Sequence, residues 1–196
     1  MGTYEVVARN FSEAHENKIH SDEIARKYGF KGALVPGVAV WGHLTHPLVE
    51  QFGERWLSQS LNETRFFKPA YHGDRLIISS EENEDGLLVQ GHNEEGTLLA
   101  EIRSTMPEEM PAAEDQSVFD QPRRTTERVE MSWDVVNEKE PFPEWHFQVI
   151  TDENQRYASQ IADELPLYRH VAHPHWLLSV ANQTLTREYQ MPAWIH

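Results

Sequence analysis

The chain lacks cysteine entirely and is poor in basic residues. Without cysteine it has neither a disulfide framework nor a thiolate zinc site. Its 17 Lys and Arg face 32 Asp and Glu, for a formal net charge of -15. Nucleic acids and anionic membrane surfaces bind positively charged proteins, so the sequence argues against both as partners. It also shows no transmembrane run and no signal peptide, and we expect a cytoplasmic protein.

A polar loop with a histidine precedes a short predicted helix near the N-terminus. Residues 16–23 read Glu-Asn-Lys-Ile-His-Ser-Asp-Glu, and the helix is expected over residues 20–28. Ser21 suits the N-cap, Asp22 complements the dipole of the first turn, and Gly29 suits the position after the last turn.

A second, mostly apolar helix is predicted over residues 38–52 and opens at Gly37. Its apolar period has little polar interruption, which indicates a buried central helix. Pro47 predicts a kink or break near His46, because proline removes one backbone hydrogen bond. The N–H of Gly37 would lie at the positive end of the helix dipole, where a developing oxyanion is stabilised.

Strand-like runs surround this helix in the sequence. One precedes it at residues 4–8, and four follow it at residues 61–67, 75–80, 87–91 and 98–105, separated by turn signals. This order predicts one strand, a buried helix and then an antiparallel meander.

Beyond residue 106 the chain changes character. Residues 107–126 are rich in Pro, acids and Gln and are predicted to be a linker. We then expect a strand over residues 145–150 and a helix capped by Thr151, with Tyr157, Ala158 and Ile161 facing inward. An apolar helix is predicted over residues 176–185.

The first segment resembles the MaoC-like dehydratase/hydratase family, whose site pattern reads Asp-x-Asn-Pro-x-His, followed by a short helix and a His-Gly pair. Asn17, His20 and Gly37 hold the matching asparagine, histidine and glycine positions. The chain departs from the pattern at the aspartate, the proline and the residue before the glycine, which are here His15, Lys18 and Pro36.

Two further stretches carry the resemblance. Residues 65–74, Arg-Phe-Phe-Lys-Pro-Ala-Tyr-His-Gly-Asp, are similar to the family's strand-Pro-x-x-x-Gly-Asp turn. The second half resembles the site pattern in degraded form: Asp163 and Pro166 hold two positions, while Leu165 and Tyr168 replace the asparagine and the histidine.

The resemblance implies an α+β protein with the hotdog fold, an antiparallel sheet wrapped on a central helix. The implied organisation is a hotdog unit over residues 1–106, an acidic, Pro-rich linker over 107–126 and an incomplete second unit over 127–196. The chain would then be a shortened double-hotdog protein.

The implied activity is that of an enoyl-thioester hydratase or 3-hydroxyacyl-thioester dehydratase, acting on acyl groups carried by coenzyme A or acyl carrier protein without a metal or redox cofactor. His20 would be the acid and base, Gly37 the oxyanion donor and Asn17 the orienting residue. His15 is a second imidazole that would serve as base. Asp22 and Asp163 are further candidates, although Asp22 equally suits a role in stabilising its helix.

Two other functions stay open. The missing aspartate favours an inactive hotdog module that binds acyl thioesters or acts as a structural partner. A hotdog thioesterase would need a carboxylate on the central helix, and the nearest, Glu50, lies near the far end. His170, His173 and His175 have zinc-like spacing, but Pro174 restricts the backbone, and we expect loop residues rather than a metal site.

Two expectations concern partners. Basic residues in the first half would have to form the local patch that a phosphate-bearing carrier needs: Lys18, Lys27, Lys31, Arg65, Lys68 and Arg75. A second unit without its meander would leave one helix face exposed, at Trp176, Leu177, Leu178, Val180 and Leu185. The sequence therefore predicts a homo-oligomer or pairing with a second hotdog unit.

Overall fold

The computed structural model describes residues 2–84, 86–112, 127–135, 142 and 147–191. Its strands are β1 (Thr3–Val7), β2 (Leu61–Phe66), β3 (Arg75–Asn83), β4 (Gly86–His92), β5 (Leu98–Thr105), β6 (Val129–Glu130) and β7 (Tyr189–Gln190). Its α-helices are α1 (Asp22–Lys27), α2 (Gly37–Phe52), α3 (Glu54–Gln59), α4 (Thr151–Gln160) and α5 (Pro174–Glu188).

Five strands form one antiparallel sheet in the order β1-β3-β4-β5-β2. Buried and half-buried residues alternate along β4, so that Leu87, Val89 and Gly91 face the core. A Cβ on Gly91 would come within 3.0 Å of the Leu44 side chain on α2, which shows how closely the helix approaches the sheet. The predicted fold is confirmed as a hotdog fold: an antiparallel sheet around a long central helix, in the α+β class.

Helix α2 runs without interruption through Pro47, so the predicted break near His46 is wrong. Leu44 and Leu48, on either side of that point, are 0% and 1% exposed. We attribute the continuity to this packing, because burying each such side chain is worth about 1.5–3 kcal/mol and offsets the lost backbone hydrogen bond.

The predicted short helix is divided in two. A 3₁₀ turn spans Lys18–His20, and α1 follows it. The Asn17 side chain caps the turn by accepting the Ile19 N–H at 3.4 Å. Ser21 occupies the N-cap position of α1 as predicted, but its hydroxyl donates back to the Lys18 carbonyl at 2.8 Å and leaves the helix without a side-chain cap.

The C-terminal part adds α4, a 3₁₀ turn at Pro166–Arg169 and α5, and β6 pairs in parallel with β7. The predicted strand at 145–150 is not formed by residues 147–150, and its first two residues lie outside the described ranges. Ile150 rather than Thr151 occupies the cap position of α4, because the helix already includes Thr151. Residues 107–112 of the predicted linker contain no helix or strand, and residues 113–126 lie outside the described ranges.

Helix α5 packs directly on α2. A Cβ on Gly42 of α2 would lie 2.8 Å from the His175 Cβ and 2.9 Å from the Ile161 Cδ1, so glycine is what lets the two helices meet. Trp176 and Val180 are buried, at 3% and 6% exposure. The expected exposed patch on this helix is therefore wrong for these two residues, because contacts within the chain cover them; Leu177 remains 42% exposed.

Candidate functional site

A cavity of about 560 Å³ lies between the two halves of the chain. One wall is formed by the loop at residues 11–20, the start of α2 and the chain just after β2; the other is formed by α4 and α5. His15, Asn17, His20 and Gly37 all line it, so the structure brings the main candidates of the sequence pattern into one place.

The tautomer of His20 follows from its hydrogen bond. The His20 Nδ1 lies 2.9 Å from the carbonyl oxygen of Leu34. A carbonyl only accepts, so Nδ1 carries the proton in the neutral ring and Nε2 is the basic nitrogen. The Asn10 side chain donates to the His20 carbonyl at 2.8 Å and holds the backbone of the turn.

Asn17 and His15 shape the turn that precedes His20. Asn17 is 5% exposed, and its backbone N–H donates to the His15 Nδ1 at 3.2 Å. This nitrogen of His15 is therefore an acceptor and unprotonated. His15 itself is exposed and borders the cavity from the loop.

Gly37 is the first residue of α2 and follows Pro36, so no side chain caps this helix. The Pro36 carbonyl accepts from the N–H groups of Ala39 and Val40, which lie further into the helix. The Phe66 ring lies over Gly37, 3.5 Å from where a Cβ would stand. The start of α2 thus presents uncapped N–H groups at the positive end of its dipole beside an aromatic ring.

The histidine loop is tied to the C-terminal part of the chain through Glu16. Its carboxylate accepts from the Arg128 guanidinium at 2.5 Å and from the Met191 N–H at 3.0 Å. Arg128 also donates to the Tyr189 carbonyl at 2.6 Å. The hydrogen bonds from Arg128 and Met191 lower the pKa of Glu16.

Asp22 lies outside the cavity lining, on the exposed face of α1. It accepts the Ala33 N–H at 2.8 Å and pairs with Arg26 at 3.2 Å. The hydrogen bond from Ala33 and then that from Arg26 lower its pKa. These contacts tie the first turn of α1 to Arg26 in the same helix and to the chain at Ala33.

Asp163 also lies away from the cavity, in a buried cluster where α2 meets the second half. It is 1% exposed and binds the His46 Nδ1 at 2.9 Å and the His173 Nε2 at 3.1 Å. Burial raises its pKa, but the hydrogen bonds from the two imidazoles outweigh burial and lower the pKa of this carboxyl. Tyr4 stacks on His46, with ring centroids 4.0 Å apart, and burial followed by the charge of Asp163 raises the pKa of Tyr4 to about 12.

Three more histidine features complete this cluster. The His173 Nδ1 accepts the His175 N–H at 3.0 Å, so the proton of its neutral ring is on Nε2, which donates to Asp163. Burial lowers the pKa of His43 to about 4 and that of His175 to about 3. Both rings are therefore neutral at physiological pH, and His175 forms part of the cavity wall.

The charge of the cavity lining differs from that of the chain as a whole, which is strongly acidic. In the described part of the chain, no Asp or Glu lines it, whereas Lys68 and three histidines do. Within those same ranges, no group of three or more His, Cys, Asp and Glu is arranged to hold a metal ion. Among the described helices, none has the length and apolar character needed to cross a membrane.

Sequence reasoning missed the second wall of the cavity. Gln160 of α4 and Ser179, Asn182 and Gln183 of α5 face the histidine loop across the cavity. The sequence did contain a signal for this wall, since polar residues recur at helical spacing within the predicted apolar helix. What the sequence did not reveal is that this face of α5 turns toward the first half.

No family model matches the chain, and no curated protein matches it. Among solved structures, it is similar to an (R)-hydratase from A. caviae involved in PHA biosynthesis, with 18% identity over 54% of this chain and 95% of that chain and a TM-score of 0.38. It is also similar to the ChsH1-ChsH2 complex from Mycobacterium tuberculosis, with 17% identity over 55% of this chain and 94% of that chain and a TM-score of 0.40.

A putative MaoC domain protein dehydratase from Chloroflexus aurantiacus matches over 96% of this chain and 65% of that chain, with 17% identity and a TM-score of 0.43. At 17–18% identity and TM-scores of 0.38–0.43, each of these matches is a likeness of fold alone.

Proposed function

We propose that this chain adds water to 2-enoyl thioesters of coenzyme A or acyl carrier protein and catalyses the reverse dehydration of 3-hydroxyacyl thioesters. The proposal rests on one observation: two groups line the same cavity. One is a histidine whose basic nitrogen is defined, and the other is an uncapped helix N-terminus. His20 supplies the first through its bond to Leu34, and Gly37 supplies the second.

The reaction follows from these two groups. The thioester oxygen accepts the Gly37 N–H, which favours negative charge on that oxygen. His20 Nε2 takes a proton from water as the water oxygen bonds to C3 of the enoyl group, and the C2–C3 π electrons move to form the enolate. The enolate collapses as the proton returns from His20 to C2. Asn17 holds the turn that presents His20.

The proposed step needs no redox cofactor, because hydration transfers no electrons to an acceptor, and it draws its base from His20 and its oxyanion donor from Gly37. A phosphate-bearing carrier meets a chain of net charge -15. The absence of Asp and Glu from the cavity lining within the described ranges, together with Lys68 at its edge, supports entry of an anionic carrier nonetheless.

Variant rates with a panel of 2-enoyl and 3-hydroxyacyl thioesters of coenzyme A test the proposal. We expect His20→Ala to abolish hydration and His15→Ala to reduce it less, because only His20 has its Nε2 set as the base. Asp163→Ala should leave turnover per folded molecule unchanged, since Asp163 lies outside the cavity. Full activity of His20→Ala would show that His20 is not the catalytic base and would refute this assignment of the site.

A second candidate is a module that binds acyl thioesters without turning them over. It is favoured by the lack of any carboxylate in the described cavity lining, because the site pattern that the sequence resembles pairs the histidine with an aspartate. The same observation opposes a thioesterase, and Glu50 is exposed near the end of α2. Saturable binding of acyl thioesters with no turnover of any panel member would establish the binding module.

We also propose that the chain associates with a second hotdog unit or a second copy. Phe147, Val149, Ile150 and Leu177 are 50%, 45%, 52% and 42% exposed, and such apolar surface favours a partner. Light scattering should show a species larger than the monomer. A stable monomer at all concentrations tested would refute association.

A further inference from the structure

The side of the cavity formed by α4 and α5 differs chemically from the side formed by the first half. Around the start of α2 the lining is largely apolar, including Phe30, Val38, Phe66 and Phe67. The side formed by α4 and α5 includes Tyr157 and Leu178, but it also presents four polar side chains: Gln160 from α4 and Ser179, Asn182 and Gln183 from α5. We call these four side chains the amide face.

The amide face is held in position by buried contacts. Asn154 of α4 accepts the His173 N–H at 2.6 Å and donates to the Tyr168 and Val171 carbonyls at 2.8 and 2.9 Å. His175 begins the same face of α5, and Tyr157 of α4 contacts its ring edge-on at 5.4 Å between ring centroids. These contacts fix α4 against the start of α5, the two helices that carry the amide face.

This surface is a poor match for an unbranched alkyl chain. An alkyl group against it would displace water from amides and a hydroxyl without replacing their hydrogen bonds, at a cost in affinity. An oxygen on the acyl group would accept from the same amide N–H groups. The amide N–H donors are neutral, so each of them can donate a hydrogen bond to a hydroxyl, a carbonyl or a carboxylate oxygen.

We propose that the amide face makes this site selective for acyl thioesters whose acyl group carries an additional oxygen, over plain alkyl chains of the same length. The inference rests on the proposed function only in taking acyl thioesters as ligands. It assigns Asn182 and Gln160 as specificity-determining residues for that ligand class.

The test measures binding and turnover separately. Calorimetry compares butyryl-CoA with 4-hydroxybutyryl-CoA and succinyl-CoA, and the hydration assay compares crotonyl-CoA with 4-hydroxycrotonyl-CoA. We expect the intact chain to prefer at least one oxygenated member of the binding set by roughly tenfold, the effect of one well-made hydrogen bond. Whether the hydroxyl or the carboxylate compound binds better distinguishes the two sources of the oxygen.

Asn182→Leu and Gln160→Leu should remove most of this preference by weakening the oxygenated ligands and sparing or improving the alkyl ones. Gln155→Leu is the matched control, because Gln155 lies on α4, is exposed and is outside the cavity lining. It should leave the preference intact.

Preference in binding without turnover would sustain the inference and refute the proposed hydratase. Turnover without any preference, preference for the alkyl members, an unchanged ratio in both leucine variants, or no binding of any member would overturn the inference.

Discussion

At the scale of single residues, the chain uses the imidazoles of its two halves for different ends. His20 faces a cavity and has one nitrogen committed to a backbone carbonyl. Asp163 is buried and has both oxygens committed to imidazoles. The first arrangement is open to a ligand, whereas the second joins α2 to the second half of the chain.

Asp163→Asn should destabilise the protein. The substitution removes the charge that His46 and His173 bind, and breaking such a buried cluster costs on the order of 3 kcal/mol. Urea unfolding measures the loss, with Asp152→Asn on the exposed start of α4 as the control. Equal stability of the two variants would show that the buried cluster contributes nothing.

Glu16→Gln should impair the site more than the stability. The Glu16–Arg128 pair is partly exposed, so its contribution to unfolding free energy is expected to be under about 1 kcal/mol. The loop that carries His20 would lose its charged tie to Arg128, which precedes β6, and we expect kcat/KM to fall while the melting temperature stays nearly unchanged. Glu13→Gln, in the same loop and exposed, is the control. Equal kcat/KM in the two variants would contradict a positioning role for Glu16.

At the scale of elements, the site depends on how α2 meets α5. Gly42→Ala tests this contact, because the substitution has two opposite effects on stability. In a helix, alanine is more favourable than glycine by about 0.5–1 kcal/mol, which alone would stabilise the protein. The new Cβ would stand 2.8 Å from the His175 Cβ, and overpacking of this kind costs about 1–3 kcal/mol. We expect a net loss of stability together with weaker ligand binding, because α5 carries one wall of the cavity. A more stable variant would contradict the contact.

The elements themselves were largely readable from the sequence. The central helix and the antiparallel strands were predicted because apolar period and turn residues are local signals. The short helix near residues 20–28 was also predicted, but the separate turn at Lys18–His20 that precedes it was not. The break at Pro47 was wrong because packing of Leu44 and Leu48 depends on a sheet that local propensity does not describe.

What could not be predicted lies in contacts between distant positions. Asp163 binds a histidine 117 positions away, and Glu16 binds an arginine 112 positions away. In neither pair are the two residues linked by a helix or strand period or by a sequence motif. The amide face was missed for the same reason: its spacing showed a helix but not the element opposite it.

At the scale of the whole molecule, buried histidines couple stability to pH. Burial lowers the pKa of His43 to about 4 and of His175 to about 3, from the ordinary histidine value of 6.5. Between those values the unfolded chain binds more protons than the folded one, so stability falls as pH drops from about 6.5 toward 4. Asp163, with a lowered pKa, contributes stability that is lost at still lower pH, below its unfolded value of 3.8.

We therefore expect the urea midpoint to decrease steadily as pH is lowered from 7 to 4. His43→Leu should flatten part of this dependence, because it removes one buried group that must gain a proton on unfolding. A midpoint independent of pH over this range would show that the two rings are not neutral and buried as described.

The central claim is that the cavity between the two halves performs water addition to an enoyl thioester. The most direct measurement is proton NMR of crotonyl-CoA incubated with the protein in D₂O. We expect a 3-hydroxyacyl product with deuterium at C2, formed by the intact chain and not by His20→Ala. Release of free coenzyme A would instead indicate a thioesterase, and an unchanged spectrum with ligand bound would indicate an inactive binding module; either result would contradict the account.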